Sequence, residues 1–386
     1  MTYRPIGPTP RLLMGPGPSN IHPRVYAAMT VPVVGHLDPQ FVQLMEETKT
    51  LLREVYQTHN ELTLPISGTG SAGMETCFVN ALEPGQRALV CINGVFGQRM
   101  RDVAERCGAQ VEVIEAEWGR AIDPEAVRRS LAAGSYQVVA LVHAETSTGV
   151  LQPLGEIARL VREAGALFLL DTVTSLGGVE VDVDNWGVDL CYSGTQKCLS
   201  CPPGLAPVTV SERARAVLNK RSRRVQSWYL DLTLIQQYWG QERVYHHTAP
   251  VSMNYALREA LLLIHEEGLA ARWRRHRLTS EALGRGLEGM GLELVVEPSI
   301  RLPTLTTVRV PDGADEAKVR RHLLDQHNIE IGAGLGAFRG KAWRIGLMGH
   351  TATEENVARL LSALAHALNR SGLRVDGGEA VRAALG

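Results

Sequence analysis

The sequence predicts an α/β protein, with a large domain built on a mostly parallel β-sheet covered by helices and a smaller C-terminal α+β domain. Short apolar runs alternate with helical stretches from Leu62 onward, a pattern typical of parallel sheets with helices on both faces. After about Ala256, two long helical stretches replace this alternation. The chain has 386 residues, which exceeds the size that one hydrophobic core usually serves, so a second domain is expected.

The chain begins with a segment that is predicted to be an irregular arm, residues 1–21. It is rich in proline and glycine, notably in the run Gly15-Pro16-Gly17-Pro18. A helix is expected further on, since Asp38 is a good N-cap and the proline after it suits the first helical position. Apolar side chains then recur at helical spacing as far as Tyr56.

Seven apolar runs are predicted to be the strands of the large domain, which is expected to span residues 22–267. The runs are residues 62–66, 88–92, 111–114, 138–142, 166–170, 190–192 and 207–210. Helices are expected between them. Asp123 followed by a proline marks one helix start, and Gly108 and Gly165 lie just beyond helix ends.

The small domain is predicted to span residues 268–386. The two long helical stretches near the domain boundary cover residues 256–267 and 269–290. Strands are expected at residues 292–296 and 304–310, and helices at residues 315–327 and 353–369. Strands and helices are thus mixed without the regular alternation of the large domain, which is why an α+β architecture is predicted.

Composition narrows the classes of function. The net charge of -1 and the hydrophobic fraction of 45% are ordinary for a globular protein and favour neither nucleic acid nor a membrane surface as partner. No apolar run approaches the ~18 residues that a transmembrane helix needs. The first ten residues hold prolines, a glycine and Arg4 where a signal peptide requires an apolar core, so a cytoplasmic location is expected.

The six cysteines are scattered along the chain and are predicted to be reduced thiols. Cys198 and Cys201 form a C-x-x-C pair, but no second pair and no histidine lies nearby at the spacing of zinc ligands. No metal site is therefore predicted.

Asp171 and Lys197 are the most informative residues, because they follow the ends of two successive predicted strands. This pair suits pyridoxal phosphate: a lysine amine forms a Schiff base with the cofactor aldehyde, and a carboxylate keeps the pyridine nitrogen protonated. The sequence therefore indicates an enzyme that uses this cofactor as an electron sink.

Residues 68–73 form a glycine-rich turn between a predicted strand and a predicted helix. Backbone N–H groups and the hydroxyls of Thr69 and Ser71 suit a phosphate at the positive end of the helix dipole. The same string matches G-x-G-x-x-G, so an NAD-dependent oxidoreductase is the alternative. A dinucleotide site expects an acidic residue at the end of the next strand, but Asn93 follows that strand. The absence of an acidic residue at this position argues against a dinucleotide site.

With their flanking residues, these motifs closely resemble class V aminotransferases of the alanine:glyoxylate and serine:pyruvate type. The resemblance runs from Leu12 to Gly346 and includes the run from Cys191 to Lys197. It implies the type I fold of pyridoxal-phosphate-dependent transferases, pyridoxal phosphate as the cofactor, and amino and 2-oxo acids as substrates.

The resemblance also implies roles for individual residues. Lys197 corresponds to the Schiff-base lysine, which also moves a proton, and Asp171 corresponds to the partner of the pyridinium nitrogen. The residues that match contacts to the cofactor phosphate within the same subunit are Thr69, Gly70, Ser71 and Gln196. Phe96 falls where relatives usually have a tryptophan stacked on the pyridine ring; its phenyl ring stacks with less area. Thr146 matches a hydroxyl near the cofactor O3′.

Further matches involve the substrate and a second subunit. Tyr245 and Thr248 resemble residues that reach the cofactor phosphate of the neighbouring subunit, which implies a homodimer with shared active sites. Arg344 matches the arginine that binds the substrate α-carboxylate, a task that suits a planar bidentate fork. Gly17 and His36 also fall at substrate-binding positions, and Tyr245 is expected to contact the substrate as well.

The acceptor implied by the resemblance is glyoxylate, and the donor is alanine or serine. Relatives that use ureidoglycine have glutamine and asparagine at the positions of His36 and Tyr245, and this chain departs from both. A histidine can still hydrogen bond a ureido group, so ureidoglycine remains the alternative donor. A desulfurase would need a cysteine in the C-terminal part, but none follows Cys201. A regulator with a DNA-binding module is not expected, since no room for one precedes Leu12.

Overall fold

The computed structural model describes residues 7–386, so the first six residues of the predicted arm lie outside the described range. Within that range the strands are β1 Leu12–Leu13, β2 Leu62–Ser67, β3 Arg87–Ile92, β4 Gln110–Glu115, β5 Val138–Val142, β6 Ala144–Glu145, β7 Val150–Leu151, β8 Leu167–Asp171, β9 Leu190–Tyr192, β10 Leu205–Val210, β11 Leu305–Arg309, β12 Ile329–Glu330, β13 Gly332–Ala333 and β14 Ala342–Gly346. The helices are α1 Pro23–Met29, α2 Pro39–Tyr56, α3 Gly70–Ala81, α4 Val95–Arg106, α5 Pro124–Ala133, α6 Gly155–Glu163, α7 Val183–Trp186, α8 Glu212–Asn219, α9 Leu232–Trp239, α10 Val251–Glu267, α11 Leu269–Gly289, α12 Glu316–His327, α13 Glu354–Arg370 and α14 Gly377–Leu385.

A seven-stranded sheet in the order β2-β10-β9-β8-β5-β3-β4 forms the centre of the large domain. All of its strands run parallel except β10, which is antiparallel to both neighbours. Side chains alternate between two buried clusters: Val90 belongs to one and Leu89 to the other. Both faces of the sheet are therefore covered, and the predicted mostly parallel α/β architecture is confirmed.

The predicted helix signals act locally as expected. The Asp38 side chain accepts a hydrogen bond from the backbone N–H of Gln40 at 2.8 Å and caps α2, and Asp123 caps α5 in the same way. Gly108 and Gly165 follow α4 and α6 with φ of +80° and +73°, the left-handed conformation that ends helices.

The C-terminal part has its own hydrophobic cluster, formed by α11, α12, α13, α14 and the sheet β11-β14-β13. Met14 of the arm belongs to this cluster, and β1 pairs in parallel with β12. We propose the division into an arm, a large domain and a small domain at residues 1–21, 22–267 and 268–386.

One predicted strand was wrong. Residues 292–296 form no strand; only Leu294 makes an isolated antiparallel bridge, to Val308. The segment cannot extend along β11 because Pro298 begins a 3₁₀ turn, Pro298–Ile300, directly after it. Among residues 7–386, no helix has both the length and the apolar character that crossing a membrane would require.

Candidate active site

A cavity of about 140 Å³ lies where the loops after β2, β8 and β9 meet, at the carboxyl ends of the parallel strands. Eight of the predicted cofactor-binding residues line it: Thr69, Gly70, Ser71, Phe96, Thr146, Asp171, Gln196 and Lys197. The other lining residues are Met74, Arg99, Val142, Ala144, Val173, Thr174 and Tyr192. The fold thus brings the aspartate, the lysine and the glycine-rich turn to one cavity.

Asp171 is the last residue of β8, and only 3% of it is exposed. Its Oδ1 accepts a hydrogen bond from the backbone N–H of Val173 at 2.8 Å, and its Oδ2 accepts one from the hydroxyl of Tyr192 at 2.6 Å. Burial raises the pKa of Asp171 to about 6, although both hydrogen bonds and the charge of Lys197 act in the opposite direction. The carboxyl group is therefore mostly ionised at neutral pH and can pair with a cation in the cavity.

Lys197 is also buried, and its amine donates a hydrogen bond to the carbonyl oxygen of Pro16 in the arm. Burial, together with the positive charge of Arg344, lowers the pKa of Lys197 to about 8. An amine with this pKa has a larger neutral, nucleophilic fraction near neutral pH than a surface lysine has. Gly17 permits the close approach of the arm, because a Cβ there would lie 2.6 Å from Lys197 Cδ, and its φ is +106°.

The glycine-rich turn leads into the start of α3, a place that suits an anion. Thr69 is the N-cap, but its side chain makes no capping hydrogen bond, so its hydroxyl and the first N–H groups of the helix can face a ligand. Arg99 donates to Ser71 Oγ at 3.5 Å. Gln196 Oε1 is buried and has no hydrogen-bond partner among residues 7–386.

Phe96 is the second residue of α4, lines the cavity, and is held by a buried carboxylate. Glu145 accepts hydrogen bonds from the backbone N–H of Phe96 at 3.1 Å and from the Ser147 hydroxyl at 2.6 Å. Burial raises the pKa of Glu145, and the charge of Asp171 raises it further. The guanidinium carbon of Arg99 lies 5.0 Å from the centre of the Phe96 ring. These contacts fix the ring and its cation at one side of the cavity.

Arg344 lies on β14 of the small domain and is buried. Its Nε donates to the carbonyl oxygen of Ala333 at 2.7 Å, and one terminal nitrogen donates to that of Thr146 at 3.1 Å. Burial lowers the pKa of Arg344 to about 10, and the nearby Glu145 acts in the opposite direction. The guanidinium is therefore a fixed, charged anion-binding group next to Thr146, which lines the cavity.

The remaining predicted residues lie outside this cavity. Tyr245 is 58% exposed, and its hydroxyl lies 3.4 Å from Thr248 Oγ1. The rings of His36 and Tyr245 have centroids 5.0 Å apart. Within one chain, these three residues form a surface group and do not join the cavity that holds Lys197.

Sequence reasoning missed the roles of Tyr192, Arg99 and Glu145. Tyr192 is directly opposite Asp171 in the register of the parallel strands β8 and β9, so the pairing of the two strand ends could have identified it. Arg99 follows Phe96 by three residues on one helix, a spacing that puts both side chains on one face.

The cavity fits pyridoxal phosphate. The start of α3 favours phosphate, and the Thr69 hydroxyl there makes no capping hydrogen bond within residues 7–386. Asp171 supplies a buried carboxylate for a ring nitrogen, and Lys197 supplies an amine with a lowered pKa for an aldehyde. Fold and site together define a pyridoxal-phosphate-dependent enzyme.

Comparison with known proteins identifies the family. The model of the aminotransferase class-V family matches residues 21–360, and the chain belongs to this family. It is a pyridoxal-phosphate-dependent aminotransferase that acts on small amino and oxo acids. This membership decides against the dinucleotide alternative for the glycine-rich turn.

Three relatives are similar over nearly their full lengths. The crystal structure of an alanine–glyoxylate aminotransferase from Nostoc sp. is 53% identical, with a TM-score of 0.94, and the match covers 95% of this chain and 98% of that one. The structure of ureidoglycine–glyoxylate aminotransferase from Bacillus subtilis is 43% identical, with a TM-score of 0.97 and 99% of each chain covered. Alanine–glyoxylate aminotransferase from Rattus norvegicus is 43% identical over 95% of this chain and 89% of its own length.

Proposed function

We propose that the enzyme transfers the amino group of alanine or serine to glyoxylate. The observation that carries this proposal is the position of Arg344. Its guanidinium is buried, bonds the backbone of Thr146 at the cavity wall, and is near enough to Lys197 to lower that residue's pKa. A fixed cation beside the reactive amine, on the side of the cavity away from the phosphate turn and Arg99, suits a substrate with a carboxylate next to its amino or keto group, as in alanine, serine and glyoxylate.

Lys197 and Asp171 carry the chemistry. Bound pyridoxal phosphate supplies an electron sink for the bond to the substrate α-proton. Lys197 is the residue that would hold the cofactor, and its amine, when free, would take the α-proton; a pKa of about 8 suits this role near neutral pH. Asp171 would keep the ring nitrogen protonated, and the hydrogen bonds from Tyr192 and Val173 orient that carboxylate and favour its ionised form.

Other cavity residues bind and orient the cofactor. We assign the phosphate to the start of α3, with contacts from Thr69, Gly70, Ser71 and Gln196. Phe96 would stack on the cofactor ring, and the Thr146 hydroxyl would contact O3′. Gly17 has no side chain, so the arm can lie close to Lys197 and still leave space for the substrate.

We further propose a homodimer in which Tyr245 and Thr248 of one subunit complete the phosphate site of the other. Large apolar side chains are exposed in the segments 31–37 and 228–245, which contain His36 and Tyr245: Val31 50%, Val33 68%, Leu37 45%, Trp228 61%, Tyr229 42% and Val244 46%. This surface borders the phosphate turn, since the Tyr229 hydroxyl donates to the carbonyl oxygen of Ser67 at 3.1 Å and His247 Nε2 lies 2.7 Å from Ser67 Oγ. An apolar surface at this place supports an interface that joins two active sites.

Donor choice depends on His36 and Tyr245 in this proposal. Their rings lie 5.0 Å apart and face the same exposed surface, so both would reach a substrate in the partner's cavity. Neither is the glutamine or asparagine that the resemblance associates with ureidoglycine, which favours alanine or serine. Ureidoglycine remains the alternative because the Bacillus subtilis enzyme named for it is 42% identical over 97% of this chain.

Borohydride reduction followed by peptide mapping tests the cofactor assignment. A pyridoxyl group is expected on Lys197 in the wild type and in the control Lys220→Arg, which alters an exposed lysine, and on no residue in Lys197→Arg. A tag on another lysine contradicts the assignment.

Half-reactions with alanine, serine and (S)-ureidoglycine test the donor, each followed by the loss of the absorbance of the lysine-bound cofactor. The highest kcat/KM is expected for alanine or serine, and the His36→Gln, Tyr245→Asn double variant should shift preference toward ureidoglycine. If the wild type converts ureidoglycine fastest, the alternative donor is correct.

The cytoplasmic location of the enzyme stays a prediction.

A further inference from the structure

Three histidines of the small domain come together on two helices. His322 and His327 lie on α12, and His366 lies on α13. Each offers one ring nitrogen, and these three atoms lie within 4.8 Å of one another. His327 Nε2 and His366 Nδ1 are 3.0 Å apart. No acidic residue belongs to the group, so its donors are imidazoles alone.

The cluster contains a polar atom with no use in the protein itself. His322 Nε2 is buried and has no hydrogen-bond partner among the described residues, which costs free energy unless a ligand takes it. The three rings meet edge to face, with centroids 5.0 to 5.6 Å apart, so no ring is stacked flat over another's nitrogen. The edge-to-face arrangement of the rings and the unpartnered nitrogen of His322 both suit a ligand that accepts lone pairs.

We propose that His322, His327 and His366 bind one divalent transition-metal ion of the borderline class, such as Zn²⁺, with water completing the coordination. Zinc binds imidazole nitrogen at about 2.0–2.1 Å, so two such nitrogens on a tetrahedral ion lie about 3.3 Å apart. The separation of 3.0 Å between His327 Nε2 and His366 Nδ1 is close to this value, and no pair of the three ligand atoms is more than 4.8 Å apart. Three imidazoles favour Zn²⁺, Ni²⁺, Co²⁺ or Cu²⁺ over Mg²⁺ and Ca²⁺, which prefer oxygen ligands.

The position of the site suggests what the ion does. His327 is the last residue of α12, and the next residue, Asn328, has the left-handed φ of 55° that ends the helix. An ion there joins the end of α12 to the C-terminal part of α13. The strand β12 starts two residues after His327 and pairs with the arm. The ion therefore stabilises the part of the small domain to which the arm is attached.

Calorimetric titration of the untagged, cofactor-loaded enzyme with Zn²⁺ and, separately, Ni²⁺ tests the proposal, after treatment with a chelator. One ion per chain is expected. His366→Gln and His327→Gln should weaken binding by at least about 100-fold, since even residues that only support a metal ligand change affinity by 10- to 100-fold. His265→Gln is the matched control, because it removes an exposed helical histidine outside the cluster.

The control should bind Zn²⁺ as the wild type does, and all variants should keep the cofactor absorbance that shows a native active site. His366 is exposed, so its variant decides the question even if His322→Gln, at a half-buried position, fails to fold. Zn²⁺ should raise the Tm of the wild type and of His265→Gln but not of His366→Gln. Stoichiometric binding that survives in His366→Gln overturns the proposal, as does the absence of binding to the wild type.

Discussion

Replacing Tyr192 with phenylalanine removes one hydrogen bond from the carboxylate of Asp171 and nothing else at the cavity. The hydroxyl is 2.6 Å from Asp171 Oδ2, and both residues are buried. A hydrogen bond to a charged group contributes about 1.5–3 kcal/mol, and one pKa unit corresponds to about 1.36 kcal/mol. The pKa of Asp171 should therefore rise from about 6 to between about 7 and about 8.

The change of pKa becomes a change of cofactor affinity, because the ionised carboxylate is the form that pairs with the protonated ring nitrogen. At pH 7 the ionised fraction falls from about 90% to between about 45% and about 5%. The apparent Kd for pyridoxal phosphate at pH 7 should rise by about 2-fold to about 15-fold, since apparent affinity scales with the competent fraction. At pH 9 the affinities of variant and wild type should converge.

The assay is equilibrium titration of apoenzyme with pyridoxal phosphate from pH 5.5 to pH 9, followed by cofactor absorbance. Tyr56→Phe is the matched control: it removes another fully buried hydroxyl, which donates to the carbonyl oxygen of Pro207 at 2.9 Å. Its pH midpoint should equal that of the wild type. If Tyr192→Phe loses affinity equally at pH 7 and pH 9, the hydroxyl supports only packing and the reasoning is refuted.

Three more predictions follow from the geometry of the cavity. The rate at which apoenzyme captures pyridoxal phosphate covalently should rise about tenfold from pH 7 to pH 9 and then level off, because the free amine of Lys197 appears as pH rises through its lowered pKa of about 8; a rise that continues beyond pH 10 in stopped-flow traces would show an ordinary lysine. Arg344→Lys should lower kcat/KM for the amino acid by about 10- to 150-fold, the equivalent of one charged hydrogen bond of about 1.5–3 kcal/mol, mostly through KM, and should leave the cofactor Kd unchanged; a loss of cofactor instead would contradict the assignment of the carboxylate. Gly17→Ala puts a Cβ 2.8 Å from Lys197 Nζ at a φ of +106°, where strain costs about 1–3 kcal/mol, so borohydride labelling of the lysine should fall sharply while circular dichroism stays native; full labelling would show that the arm yields.

The sequence was sufficient for the features that depend on local periodicity. Parallel strands buried on both faces are continuous apolar runs, so the strands that carry Asp171 and Tyr192 were predicted close to their observed bounds. Residues 292–296 show the limit of the same reasoning, because an apolar run alone does not reveal that a nearby proline stops its pairing.

Features that depend on contacts between residues distant in sequence were harder to predict from the sequence. His322 and His327 are five residues apart, a spacing unlike the three or four residues that align ligands along a helix. Their approach depends on the end of α12, and His366 joins only because α13 packs against α12. The bond between Tyr192 and Asp171 likewise depends on strand register, and the bond between Pro16 and Lys197 depends on the path of the arm.

The arm also contacts both domains of the subunit. Met14 is bonded to Glu330 of the small domain at 2.8 Å, and two residues later Pro16 accepts the hydrogen bond of Lys197. Two residues of extended chain span only about 7 Å, so a displacement of β12 reaches the lysine with almost no slack. Arg344 lies on β14 of the same small domain, so a shift of that domain on ligand binding would also be felt at the backbone acceptor of the Lys197 amine.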